Sequence, residues 1–96
     1  MLKNHEVEFM NFIDQAVRTG AASTTWESLY SWFNTTRISK TVWRTIHAQY
    51  IELCEYYAWE GDIPELKALT IDSTVTLIRG PFQRETLVSV GENGSN

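Results

Sequence analysis

The chain is short of the residues that would make it anything other than a small folded domain. It holds one cysteine, Cys54, among 96 residues. That excludes an intramolecular disulfide framework and a cysteine-based zinc finger. Nowhere do the ~18–20 apolar residues of a membrane span run together, so no membrane association is expected. Glycine (5) and proline (2) are scarce, and the sequence has neither a glycine-rich phosphate loop nor a dinucleotide fingerprint. Residues 1–6, Met-Leu-Lys-Asn-His-Glu, lack the apolar core of a secretory leader. A cytoplasmic protein is therefore expected, and the sequons at Asn34 and Asn93 carry no weight. Bases are also in deficit, with 8 Lys+Arg against 12 Asp+Glu and a formal charge of −4. A protein that coats nucleic acid non-specifically is usually basic throughout, which this chain is not.

What the chain does have is aromatic mass: four Trp, four Tyr and four Phe. Each buries ~150–250 Å², enough to give a dense core to a domain of this size. The periodicity predicts three helices followed by a β-hairpin, an α+β domain over residues 1–90 with a polar tail at 91–96. Phe9, Phe12, Ile13, Ala16 and Val17 fall at helical spacing, and Gly20 is a natural stop. Thr24 and Glu27 have capping-box spacing before the stripe of Trp26, Leu29, Tyr30 and Phe33. After turn-prone residues 34–37, Ser39 is the expected N-cap of a third helix running to about Trp59. Residues 74–78 and 86–90 alternate β-branched side chains, and the six residues 79–84 between them have turn chemistry. The segment 62–72 reads equally as a helical turn or a strand.

Charge is unevenly placed. On a helical wheel of the third helix, Val42, Trp43, Ile46, Tyr50, Leu53, Cys54 and Tyr57 share an apolar arc, with Lys40, Arg44 and His47 in a separate arc beside it. From Asn34 to Ile51 there are Arg37, Lys40 and Arg44 and no acid. From Glu52 to Glu65 there are five acids (Glu52, Glu55, Glu60, Asp62, Glu65) and no base. Arg79 and Arg84 are expected to bracket the hairpin turn. A basic cluster on a helix is often only a solvated face, so the functional reading needs a second feature.

Leu29-Tyr30-Ser31-Trp32-Phe33, a turn, and then Ile38-Ser39-Lys40-Thr41-Val42-Trp43-Arg44-Thr45-Ile46 resembles a helix-turn-helix. With a hairpin after the third helix, the order is similar to the winged-helix DNA-binding domains. The turn at 34–38 is longer than the usual one and lacks its glycine, and the third helix is longer than most recognition helices. The resemblance implies a small sequence-specific binder of double-stranded DNA, a regulator of transcription or of a mobile element such as a phage. It implies groove contacts by Lys40, Thr41, Arg44 and His47, backbone contacts by Arg37 and Ser39, and wing contacts by Arg79 and Arg84. Arg and Lys suit guanine edges and phosphates, Thr methyls suit thymine, and a helix N-terminus suits phosphate. Few phosphate contacts would be available, so a homodimer or cooperative assembly is expected. Tyr56 and Trp59 fall outside the apolar arc; they read either as a partner surface or as packing against residues 62–72.

Enzyme chemistry finds no foothold. His5 and His47 lack metal-ligand spacing, Cys54 sits in the apolar arc as a buried thiol would, and no nucleophile elbow is present. No cofactor and no small-molecule ligand are expected. The competing reading is an acidic protein-interaction module or small inhibitor of a host protein complex. In it the acids of 52–65 would mimic nucleic acid or meet a basic partner.

Overall fold

The computed structural model describes residues 1–81. Helix α1 spans Lys3–Thr19 and buries Phe9, Phe12, Ile13, Ala16 and Val17, the stripe its spacing predicts. It ends at Gly20, whose φ of 94° lies in the left-handed region and whose N–H donates to the Ala16 carbonyl. Strand β1, Ala21–Thr25, follows at once. It was not expected: alternation over only five residues is too short a signal to separate from a helix approach. Helix α2, Trp26–Phe33, is capped by Thr25, whose side chain accepts from the Ser28 N–H at 3.0 Å. The expected cap at Thr24 is therefore one residue early, because Thr24 belongs to the strand and sits opposite Val75.

Helix α3 runs Lys40–Tyr56 and buries Val42, Ile46, Tyr50 and Cys54, one residue per turn at i, i+4 spacing. It ends three residues before Trp59, at a turn where Ala58 takes φ 53°. The chain then returns as β2, Leu66–Ile71, and β3, Thr74–Arg79. The ambiguous 62–72 segment is thus largely strand. The turn of the hairpin is Asp72-Ser73, with Asp72 at φ 50°, a conformation Asp tolerates better than most residues. The expected pairing of 74–78 with 86–90 across a turn at 79–84 is corrected in one respect. Residues 74–79 form a strand, but they pair backward with β2 and with β1; residues 86–90 lie outside the described residues.

The three strands make an antiparallel sheet in the order β1-β3-β2. Alternation on the central strand sets its inner face, with Val75 and Leu77 buried. Register places Ala22 and Ala68 on either side of Leu77, and Thr24 and Thr70 on either side of Val75. The helices cover this face. Phe9 meets Trp32 and Phe33 edge-on at ring distances of 6.1 and 5.3 Å, and the Trp32 indole N–H donates to Glu8 at 2.8 Å. Tyr50, fully buried, donates its hydroxyl to the Pro64 carbonyl at 2.7 Å and so ties α3 to the entry of β2. Cys54 is a buried free thiol; burial pushes its pKa up, which disfavours a nucleophilic thiolate.

Candidate nucleic-acid interface

The first three turns of α3 are presented by the two segments before them. Asn34 closes α2 in the left-handed conformation, φ 49°, and Thr35 N–H reaches back to the Tyr30 carbonyl at 3.0 Å. The Thr35 hydroxyl then donates to the Arg37 carbonyl at 3.0 Å, which shapes the turn without glycine. Ser39 is the N-cap, with extended backbone. Its carbonyl accepts from Val42 and Trp43 at 3.1 and 3.3 Å, while its side chain makes no capping bond. Burying Val42, Ile46 and Tyr50 forces the opposite side of the helix outward. Arg37, Ser39, Lys40, Thr41, Arg44 and His47 are all exposed as a result. The structure brings these six predicted residues together at one end of α3.

Arg37, Lys40 and Arg44 form no ion pair with any described residue, whereas Arg18 is tied to Asp14 at 2.6 Å. No acid lies between Glu27 and Glu52 in the sequence, so no acid within that stretch offsets its positive charge. Thr45, also exposed, returns its hydroxyl to the Thr41 carbonyl at 2.9 Å. The His47 ring lies at 6.4 Å from the Tyr50 ring.

Sequence reasoning missed the aromatic brace beneath this surface. Trp26 packs edge-on to Trp43 at 6.2 Å and stacks on Tyr30 at 6.4 Å, and its backbone N–H donates to the Ser73 carbonyl at 3.0 Å. One residue thus touches the start of α3, the body of α2 and the hairpin turn. The available signal was two tryptophans on successive amphipathic stripes, which does not reveal that they meet.

Arg79 is not at a hairpin tip. It is the last residue of β3, half-buried, with its guanidinium 4.8 Å over the Trp59 ring and Nη1 donating to the Gly80 carbonyl at 3.0 Å. Its Nε is buried and has no hydrogen-bond partner among the described residues. The expected place of Arg79 beside the hairpin turn is corrected on that ground, since the turn lies at Asp72-Ser73 and Arg79 is at the other end of β3. Arg84 lies outside the described residues. Trp59, covered by Arg79, is likewise taken up by packing, whereas Tyr56 stands 78% exposed. Among the described residues no group of His, Cys, Asp and Glu is placed to hold a metal ion, and no helix is long and apolar enough to cross a membrane. Comparison of the chain with protein-family models, curated proteins and solved structures finds no match.

Proposed function

We propose that the chain is a small winged-helix-type protein that binds double-stranded DNA sequence-specifically, as a regulator of transcription or of a mobile element. The N-terminal half of α3 enters the major groove. Lys40, Thr41, Arg44 and His47 face base edges, and Arg37 and Ser39 meet the phosphate backbone. The observation that carries this reading is the order of charge along α3. A helix is stabilised by acids in its first turn and bases in its last, because its dipole is positive at the N-terminus. Helix α1 also opens on a lysine, Lys3, but it carries Glu6 in its first turn and Arg18 in its last, and α2 begins with Glu27. Helix α3 reverses it: no acid in the first turn, no base in the last, Lys40 at its first position and Glu52 and Glu55 towards its end. Such an order works against the helix and in favour of an anionic ligand at its N-terminal end.

The element order gives further support. Helix, strand, helix, helix and a closing hairpin, with β3 between β1 and β2, is similar to the winged-helix arrangement. The hairpin departs from a basic wing, since Ile71-Asp72-Ser73-Thr74 carries an acid and no base. The positive charge offered to the duplex therefore comes mainly from Arg37, Lys40 and Arg44. The test is fluorescence anisotropy with a labelled random-sequence duplex pool at low salt. Arg44→Glu is expected to weaken binding at least about tenfold, since it turns an attraction into a repulsion, with an unchanged circular-dichroism spectrum. Equal affinity of variant and parent overturns the proposal.

A further inference from the structure

We infer that the C-terminal end of α3 is a docking surface for an arginine- or lysine-rich segment of a protein partner. The inference stands apart from the DNA reading, because it concerns the opposite pole of the helix. Tyr56 is 78% exposed and Tyr57 44% exposed, and their rings meet edge-on at 5.2 Å. Large aromatic rings are normally withdrawn from water. This pair is held out by a fixed support: Tyr57 donates its hydroxyl to Asp14 at 2.5 Å, and the same carboxylate takes Arg18 at 2.6 Å. With Tyr57 clamped to α1, Tyr56 is braced against a ring that does not swing away. An aromatic surface of this kind binds with little loss of side-chain freedom.

The surroundings specify the occupant by charge. Glu52 lies one turn before Tyr56, Glu55 is its neighbour, and Glu60 and Asp62 follow; all four are exposed. No Lys or Arg occurs from Thr45 to Leu66. Arg18 is engaged with Asp14 and Arg79 lies against Trp59. Glu52 and Glu55 also lie towards the negative end of the helix dipole, where they weaken the helix, so its own stability does not account for them. A guanidinium or ammonium group can lie on the face of Tyr56 while its apolar stem covers the ring and the carboxylates take its charge. Nucleic acid is repelled from the same place.

The experiment uses the full chain and a fluorescein-labelled peptide of repeated Arg-Gly, with the Glu-Gly peptide as its charge-reversed control. The chain is expected to bind the first and not the second. Tyr56→Ala weakens binding about two- to fivefold, the scale of a lost cation–π contact at an exposed site. Glu52→Gln and Glu55→Gln each weaken it, and Glu27→Gln on α2, the same change in net charge as either, leaves it unaltered. Duplex affinity, measured on the same variants, does not fall, so failure here is separable from failure of the DNA reading. The inference is overturned by no binding of the Arg-Gly peptide or by equal binding of the two peptides. It is overturned equally if Tyr56→Ala has no effect or if Glu27→Gln weakens binding as much as the α3 variants. Concentration-dependent self-association in the ultracentrifuge that disappears in Glu52→Gln/Glu55→Gln assigns the surface to a second copy of the chain and overturns it too.

Discussion

Lys40→Glu separates a functional basic face from a merely solvated one, because the two readings agree on stability and disagree on binding. Lys40 is the first residue of α3 and is exposed. Replacing it removes a cation from the positive end of the dipole and puts an anion there, worth about 0.3–1 kcal/mol at an exposed site. Lys40 and Arg44 are also one turn apart. The substitution relieves a like-charge pair and creates an acid–base pair in the favoured order, worth roughly 0.2–0.5 kcal/mol for each change. The sum is about 1 kcal/mol of added stability, or a rise in Tm of roughly 4–8 °C for a domain of this size. Thermal unfolding by circular dichroism at low salt measures it, and the gain should shrink as salt screens the helix end. Duplex binding, measured on the same preparation, should be lost. A variant that is more stable and binds DNA as the parent does would leave α3 with an ordinary solvated face. A variant that is less stable would show that the side chain of Lys40 supports the fold, and the dipole reasoning would fail.

Four other outcomes follow from particular contacts. The duplex affinity of one copy should fall with salt with a logarithmic slope of roughly −2.7, counting Arg37, Lys40 and Arg44 at about 0.9 each; Arg44→Ala should bring the slope down by about one contact. Arg79→Gln should leave that slope alone and lower Tm instead, and a change in slope would return Arg79 to the DNA. Tyr50→Phe should cost about 1–2 kcal/mol in urea unfolding, since it strands the Pro64 carbonyl and unties α3 from β2; an unchanged midpoint would mean that the bond at 2.7 Å contributes nothing. The Tyr57 hydrogen bond, with help from Arg18, holds the Asp14 carboxyl below its ordinary 3.8, and the same bond raises the Tyr57 hydroxyl above its ordinary 10.0. Its contribution is therefore full between those two values. It is lost as pH falls through the lowered Asp14 value or rises through the raised Tyr57 value, and Tyr57→Phe should lower stability on that plateau and not at its ends.

The helices were legible because their signals are local. Burial at Phe9, Phe12, Ile13, Ala16 and Val17 follows from spacing alone, and Gly20 and Ser39 mark their boundaries by backbone preference. The sheet was not, because pairing is decided between segments that spacing cannot relate. Residues 74–78 carried a correct strand signal, yet their partners were chosen by a turn at Asp72-Ser73 rather than by Gly80-Pro81. Strand β2 looked ambiguous because it lies at a sheet edge with only Leu66 partly covered, so its sequence is not forced to alternate. The site divided in the same way. Periodicity anticipated that Lys40, Thr41, Arg44 and His47 are exposed on α3, whereas it gave no sign of where Arg79 lies, because its guanidinium is set against Trp59, a residue distant in sequence.

The place of Arg79 bears on how the chain would find a target if it binds DNA as proposed. With Arg79 turned inward and Arg18 tied to Asp14, the positive charge left at the α3 end is three side chains in an acid-free stretch. The rest of the chain is acidic enough to bring the total to −4. Non-specific affinity for duplex DNA grows with the number of phosphates neutralised, so three contacts and a repelling opposite pole keep that term small. An acidic body also penalises every orientation except the one that leads with the start of α3. Discrimination is the difference between specific and non-specific binding, and it widens when the second is suppressed, provided that Lys40, Thr41, Arg44 and His47 find matching base edges. The low base count would then not argue against DNA. It would mean that recognition by this domain depends on sequence and orientation, with little adhesion to support a wrong site.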